Sequence, residues 1–194
     1  MKVREYMNEI RPGKHFIAGS VALLAGALLV AGCNNKTEHP DEKSAVTNSL
    51  STNSLSAVSV SQDREKGVMT LTGNVDTQDQ KSQAETLAKQ AAPDYTIADQ
   101  IGVRPPGDSQ AGSVASNRDS AIEDNYKASL KEHKNLNDQS ISYSSKNGTL
   151  VLKGSVKTAA QKKEAGALAK KIQNVQQVVN EIEVKPGKHS TASS

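Results

Sequence analysis

The fold is decided by the stretch Asn147-Gly148-Thr149-Leu150-Val151-Leu152-Lys153-Gly154-Ser155-Val156, which repeats an earlier one, Gly67-Val68-Met69-Thr70-Leu71-Thr72-Gly73-Asn74-Val75, at an offset of 81 residues. The same offset relates many further identical residues without a gap, as far as Pro105 and Pro186. Self-similarity at a fixed spacing indicates two copies of one supersecondary unit. The sequence therefore predicts a tandem repeat.

Each copy has the pattern of a hairpin strand followed by a helix and a further strand. Asn-Gly before an alternating apolar run is typical of a β-hairpin, because both residues accept a positive φ. In the second copy Thr158 and Gln161 then have the spacing of a capping box. We expect a helix over residues 159–172, and after it a strand that contains Val178 and ends at Pro186.

Glycines recur at equivalent positions of the two copies and are expected to mark the fold. These glycines are Gly67, Gly73, Gly148 and Gly154. The first glycine of each copy is expected in the hairpin turn. The second is expected on the buried face of the strand, together with Leu150, Leu152 and Val156, where the missing side chain leaves room for another backbone or a helix.

The pattern Asn147-Gly148-x-Leu150-Val151-Leu152-x-Gly154-x-Val156, followed by a helix and by Val175-x-x-Val178-Val179-Asn180-x-Ile182-x-Val184, resembles the BON domain. The first copy departs from it, because Ala98-Asp99 stands where the second has Val179-Asn180. The resemblance implies an α+β fold of two small tandem modules, each α-β-β-α-β with a three-stranded sheet and helices on one face. We expect the second copy to fold more completely than the first.

The N-terminus has the features of a processed signal. A charged segment precedes an apolar run at 16–30, which is shorter than the roughly 20 residues that a membrane span needs. Val30-Ala31-Gly32-Cys33 follows and resembles a bacterial lipobox, which implies lipid attached to Cys33. The alternatives are an ordinary signal peptide and an anchor helix with an incidental cysteine. Because Asn34 rather than Asp follows the cysteine, the resemblance implies the outer membrane, with the protein facing the periplasm.

These observations divide the chain into six segments. We predict a lipoprotein signal peptide at 1–32, a flexible tether at 33–45, a partly degenerate first domain at 46–106, a linker at 107–118, a second domain at 119–187 and a disordered tail at 188–194. An opening helix at 41–50 is expected in the first copy. In the second, a capping box at Ser120 and the apolar stripe Ile122, Tyr126 and Leu130 predict a clearer one.

Charge is distributed unevenly between the two copies. Residues 46–106 carry five basic and seven acidic groups, whereas residues 119–187 carry eleven and eight. Between residues 146 and 171 a lysine cluster is accompanied by a single acid, Glu164. The candidates for binding anionic phospholipid are Lys157, Lys162, Lys163, Lys170 and Lys171. The alternative is a solvated surface, since lysines are usually exposed.

No residues have the pattern of a catalytic or metal site. The histidines His15, His39, His133 and His189 are not spaced like metal ligands. Cys33 is the only cysteine, so no disulfide is expected. Neither a glycine-rich phosphate loop nor a Ser-His-Asp set is present. We therefore expect no enzyme, no metal and no cofactor, and no nucleic-acid partner, because no aromatic side chain is interleaved with the lysines.

Three functions fit this reading. The first is a lipid-anchored envelope protein that binds anionic phospholipid and supports membrane integrity or osmotic-stress tolerance, as the resemblance implies. The second is an adaptor that holds other envelope proteins near the membrane. The third is a structural spacer. Binding of lipid vesicles by the protein without its anchor would distinguish the first from the other two.

Overall fold

The computed structural model describes residues 38–186, which form two successive α+β modules. Module 1 consists of α1 (Lys43–Thr52), β1 (Val58–Asp63), β2 (Val68–Val75), α2 (Gln78–Ala91) and β3 (Thr96–Val103). Module 2 consists of α3 (Ala111–Glu132), α4 (Lys134–Asn137), β4 (Ser140–Lys146), β5 (Thr149–Val156), α5 (Ala159–Ala169), β6 (Gln177–Asn180) and β7 (Glu183–Val184). The predicted tandem α+β fold is confirmed. The predicted signal peptide, Cys33 and the tail at 188–194 lie outside the described residues.

The repeated stretch forms the middle strand of the sheet in each module. In module 1, β2 pairs antiparallel with β1 and parallel with β3, from Val68 opposite Thr96 to Val75 opposite Val103. In module 2, β5 pairs antiparallel with β4, but its parallel partner is divided into β6 and β7. The third strand is thus less regular in the second copy, although the Glu181 N–H still donates to the Leu152 carbonyl at 2.8 Å between β6 and β7. That the second copy folds more completely stays a prediction.

The helices of each module pack on one face of its sheet and cover an apolar core. Ala84 and Ala88 of α2 are fully buried, and so are their equivalents in α5, Ala165 and Ala169. These small side chains recur because the helix lies close to the sheet at both places. In module 2 the Tyr126 hydroxyl donates to the Ala165 carbonyl at 3.2 Å, so the opening helix is also bound to α5.

The opening helix of module 1 is close to its predicted position. It buries Val46 and Leu50, as the spacing of the two residues predicts. However, it begins at Lys43, within the segment expected to be a flexible tether.

Residues 38–40 of the predicted tether are also bound to module 1. The His39 N–H donates to the Arg64 carbonyl at 3.0 Å, and Arg64 Nε donates back to the His39 carbonyl at 2.9 Å. Arg64 pairs with Glu38 at 3.3 Å, and the Tyr95 hydroxyl donates to the Pro40 carbonyl. Side chains on module 1 thus order this part of the chain.

The opening helix of module 2 is longer than predicted. It begins at Ala111, within the predicted linker, so Ser120 is an interior position and the capping box expected there is wrong. Asp108 Oδ1 instead accepts the N–H groups of Gln110 and Ala111, both at 2.9 Å, and so satisfies donors at the helix start. The predicted stripe is buried as expected, and it consists of Ile122, Tyr126 and Leu130.

The turn glycines occupy two different hairpins. Asn147 and Gly148 have φ values of 50° and 83° and form the two residues between the closing pair Lys146 and Thr149, as predicted. In module 1 the loop between β1 and β2 has four residues and ends with Gly67 at a φ of 62°. A Cβ at Gly67 would lie 2.3 Å from Nε2 of His39, so this glycine also admits the bound N-terminal segment.

The strand glycines have no side chain at points where the backbone of the neighbouring chain segment comes close. Gly154 has a φ of 105°, and a Cβ there would lie 1.9 Å from the Ser140 carbonyl oxygen. Gly73 has a φ of 120°, and its Cβ would lie 2.3 Å from the Ala57 carbonyl oxygen. The predicted close approach of another backbone is therefore present. The expectation of a buried face is wrong for Gly154, which is exposed.

Candidate functional site

The five lysines predicted to bind phospholipid lie on α5 and in the turns at its two ends. Lys157 precedes the N-cap Thr158, whose hydroxyl accepts the Gln161 N–H in the predicted capping box. The helix ends at Ala169, three residues earlier than expected, because Lys170 is its C-cap and Lys171 lies in the following turn. All of the five are exposed except Lys162, which is half-buried.

The charge of this lysine surface is not neutralised by neighbouring acids. Within residues 38–186 none of the five lysines takes part in an ion pair. Glu164, the single acid in the cluster, accepts a hydrogen bond from the Asn135 amide. Lys153 differs from the five, because its ammonium lies 3.7 Å from the Glu181 carboxylate. The surface around α5 therefore presents positive charge to solvent.

The opposite side of α5 is fixed to the sheet. Ala165, Leu168 and Ala169 are buried, so the apolar side of the helix is not free. The Asn180 amide donates to the Lys162 carbonyl at 2.9 Å, and a Cβ on Gly166 would lie 2.8 Å from that amide nitrogen. The lack of a side chain at Gly166 thus leaves room for the Asn180 amide of the third strand to bind the helix backbone. Only the outer side of α5 is therefore accessible to a ligand.

The two modules meet through the sheet faces that their helices leave uncovered. The apolar part of this contact is a cluster of four buried side chains, Val68, Ala98, Val151 and Val179. Around it, Gln177 Oε1 accepts the Asp99 N–H and Gln177 Nε2 donates to the Ile97 carbonyl, both at 2.8 Å. The Thr149 hydroxyl donates to the Asp99 carbonyl. Side chains of module 2 therefore satisfy backbone groups at the outer edge of β3.

The contacts between the modules are related by the same offset as the sequences. Asn147 Nδ2 donates to the Gln100 carbonyl at 2.8 Å, and the equivalent positions, Lys66 and Glu181, form an ion pair at 3.3 Å. A contact between positions i and j that recurs between j and i is the mark of an isologous interface. The two modules thus pack in a pseudo-two-fold manner.

A buried ion pair lies beside this interface in module 1. Lys81 and Asp99 are 6% and 5% exposed, and their charged atoms are 3.9 Å apart. Lys81 Nζ also donates to the carbonyls of Ile101 at 2.9 Å and Asn147 at 3.4 Å. Burial raises the pKa of the Asp99 carboxyl, although the Ile101 N–H and the Lys81 ammonium act in the opposite direction.

Sequence reasoning missed this pair, although the repeat contained a signal for it. The offset aligns Asp99 with Asn180 and Lys81 with Lys162. The departure at position 99 from the pattern of the second copy therefore marks the place where a carboxylate meets a buried lysine. The partners that bury it, among them Gln177, come from the other module and could not be predicted from spacing within one copy.

Between residues 38 and 186 no group of three or more His, Cys, Asp and Glu side chains is arranged to hold a metal ion. No helix in that range combines the length and the hydropathy that a membrane span requires.

Two chains from Chlamydia trachomatis are among the solved structures that match this chain. One is described as CdsD, a structural protein of the type III secretion system, and the other as the C-terminal domain of CdsD. Each is 14% identical in sequence, with TM-scores of 0.32 and 0.31. The alignments cover 75% and 77% of this chain, and 62% and 100% of the two CdsD chains. This chain thus spans less than two thirds of the first of them.

Comparison with the curated proteins gives no match. A family model described as the BON domain matches residues 43–105 and 118–186, which together make up more than half of the chain. The two segments coincide with modules 1 and 2. BON domains occur in proteins associated with the cell envelope, and they are binding modules without catalytic activity. The chain therefore belongs to the BON domain family, of which it contains two copies.

Proposed function

We propose that this protein is a lipid-anchored component of the cell envelope that binds anionic phospholipid headgroups through the lysine surface around α5. Lipid on Cys33 would hold it in the outer membrane, facing the periplasm. In that position it would support the integrity of the membrane, including its tolerance of osmotic stress.

One observation carries the proposal: within residues 38–186 the five lysines around α5 form no ion pair, and all except the half-buried Lys162 are exposed. Lys163 and Lys170 are both exposed, and Glu164 between them is bound by Asn135. A lysine held close to an anionic membrane surface contributes about 1 kcal/mol to binding. Several such lysines on one module therefore supply a useful affinity without a deep pocket.

The burial of the apolar side of α5 favours binding at the headgroup layer. A helix that inserts between lipids needs its apolar face free. In α5 that face, which includes Ala165 and Leu168, is packed in the core of module 2. Binding should therefore be electrostatic, selective for anionic lipid and weakened by salt, since the Debye length is about 8 Å at physiological ionic strength.

The test uses vesicle flotation with residues 34–194, which contain every described helix and strand but not the signal peptide. Vesicles of phosphatidylcholine with phosphatidylglycerol are compared with phosphatidylcholine alone. Lys163→Glu with Lys170→Glu should weaken binding to the anionic vesicles at least about 30-fold, if each removed lysine contributes about 1 kcal/mol. The melting temperature should change little, because both side chains are exposed.

A matched control changes the same total charge on module 1. Lys43→Glu with Lys89→Glu is suitable, because Lys89 occupies in module 1 the position of Lys170. Since Lys89 also pairs with Glu85 at 2.7 Å, the melting temperature of this control is measured as well. This control should retain vesicle binding. If the Lys163, Lys170 variant binds anionic vesicles as well as the parent, the lysines are only a solvated surface, and the adaptor function becomes the better hypothesis.

The anchor has a separate test. Mass spectrometry of the mature protein should find lipid on an N-terminal Cys33, and Cys33→Ser should no longer partition with membranes. An unmodified Cys33, or cleavage at another residue, would contradict the anchor without affecting the vesicle experiment.

A further inference from the structure

Two clefts at opposite ends of the contact between the modules are equivalent under the repeat. Cleft A has a volume of about 340 Å³ and lies between the end of β3, the start of α3 and the Asn147–Gly148 turn. Cleft B has a volume of about 520 Å³ and lies beside β6 and β7. Cleft A is lined by Lys81, Ile101, Val103 and Arg104, and cleft B by their equivalents Lys162, Ile182, Val184 and Lys185.

In cleft B most of the cations face an acid. Lys66 lies 3.3 Å from Glu181, and Lys185 lies 2.9 Å from Glu183. Both acids also line the cleft. Cleft B therefore holds little charge that an added anion could neutralise.

In cleft A the positions of these two acids are taken by Gln100 and Gly102. Among residues 38–186 the acceptors of the Arg104 guanidinium are both neutral, the Val103 carbonyl at 2.9 Å and Asn147 Oδ1 at 3.2 Å. Arg118, on the wall formed by α3, takes part in no ion pair within residues 38–186 and is exposed. In the described part of the chain, cleft A therefore carries two guanidinium groups that form no ion pair.

The acids near cleft A are held by donors of the fold. Asp108 accepts the Gln110 and Ala111 N–H groups at the start of α3. Asp119 accepts the N–H groups of Asn147 at 2.7 Å and Gly148 at 2.9 Å. The third nearby acid, Asp99, is bound by the Ile101 N–H and lies beside Lys81. Asp108 itself lines the cleft, but within residues 38–186 none of the three acids forms an ion pair with Arg104 or Arg118.

The wall of cleft A that α3 forms is apolar apart from Arg118. Ala111, Val114 and Ala115 are spaced so that they share one side of α3 with Arg118. Val114 is 51% exposed, more than any other large apolar side chain in residues 38–186. Val103 lies on the strand side of the cleft. A ligand that fills the cleft would thus gain both ionic and apolar contacts.

We propose that cleft A binds an organic anion with one phosphate or carboxylate head and a short alkyl chain. The planar guanidinium fork matches the oxygens of either head, and such charge-assisted bonds are stronger than neutral ones. The alkyl chain would cover Val114 and Val103. This site is distinct from the lysine surface around α5, and the proposal does not depend on vesicle binding.

The experiment is isothermal titration of residues 34–194 with octyl phosphate below its micelle concentration. Inorganic phosphate and octyl glucoside supply the head and the chain separately, and each should bind at least about tenfold more weakly. Arg118→Glu should reduce the affinity for octyl phosphate at least about tenfold, the factor that one charge-assisted hydrogen bond provides. Its melting temperature should not change, because Arg118 is exposed and unpaired.

Two further variants complete the test. Lys127→Glu makes the same charge change on the exposed side of α3 away from the cleft and should bind octyl phosphate like the parent. Lys163→Glu with Lys170→Glu should also retain octyl phosphate binding. Equal affinity of the parent and Arg118→Glu, or no binding of octyl phosphate by the parent, would overturn the proposal. Binding of inorganic phosphate as tight as that of octyl phosphate would overturn the role of the apolar wall.

Discussion

The third strand is continuous in module 1 and divided in module 2, although module 2 matches the family pattern better. β3 pairs with β2 along its whole length, whereas β6 and β7 are separated by Glu181 and Ile182. The outer edge of β3 is bound by Gln177 and Thr149. At the position of Gln177, module 1 has Thr96, whose shorter side chain cannot make the same pair of backbone bonds. The comparison teaches that the bonds at the outer edge of β3 come from side chains of the neighbouring module and not from the family motif of module 1.

The largest loss of stability is expected on substitution of the strand glycines, which both modules share. Gly154→Val should destabilise module 2 by about 3 kcal/mol or more, since its Cβ would meet the Ser140 carbonyl and its φ disfavours a side chain. Gly73→Val should damage module 1 in the same way. Chemical denaturation of each variant measures the loss.

Gly107→Val separates the effect of steric contact from the effect of the positive φ. Gly107 also has a positive φ of 84°, but a Cβ there would meet nothing within 4 Å. Its substitution should destabilise the protein by only about 1 kcal/mol, from the backbone conformation alone. Equal losses at Gly107 and Gly154 would show that contact with β4 does not matter.

A smaller loss of stability is expected when a hydrogen-bonding side chain of module 2 is removed from the outer edge of β3. Gln177→Ala removes the partners of the Asp99 N–H and the Ile97 carbonyl and should cost about 1–3 kcal/mol. In hydrogen exchange the amide of Asp99 should lose protection, while amides in the middle of β2 keep theirs. Gln176→Ala is the control, because the neighbouring side chain is exposed. Unchanged exchange at Asp99 would contradict the role given to module 2.

The smallest effect concerns the polar position at which the modules differ, Asp99 in one and Asn180 in the other. Because the pKa of Asp99 is raised in the folded protein, the folded state binds its proton more tightly than the unfolded state. The stability associated with that proton is present below the ordinary pKa of 3.8 and is lost as the pH rises through the folded pKa. Asp99→Asn should therefore gain stability relative to the parent as the pH rises.

The converse substitution can be made at the equivalent position of module 2. Asn180→Asp places a carboxylate beside the Lys162 carbonyl, which the Asn180 amide now binds. This variant should lose stability relative to the parent over the same rise in pH. Thermal denaturation of the parent and both variants at acidic and neutral pH checks the sign. Parallel curves for all three proteins would contradict the effect of burial on Asp99.

Local sequence was sufficient for the elements of each copy. The Asn147–Gly148 turn, the capping box at Thr158 and the buried stripe of α3 depend on residues close in sequence, and all are present as predicted. The start of α3 was missed because Asp108 caps it from outside the expected motif. Local rules thus placed the elements more reliably than their ends.

The candidate sites depended on contacts that sequence patterns do not contain. The exposed lysines could be predicted from their number and spacing. Cleft A could not, because Arg104 and Arg118 belong to different modules and lay in or beside a segment predicted to be a linker. Its charge is evident only once Asp108 and Asp119 are seen to be held by backbone donors.

The attachment of residues 38–40 to module 1 has a mechanical consequence. Tension that enters the described chain at Glu38 is received first by Arg64 and Tyr95, before it reaches α1. Arg64 follows β1 and Tyr95 precedes β3, so the load is divided between the two strands that flank β2. A load applied at Glu38 would thus reach module 1 through its sheet before it reaches α1.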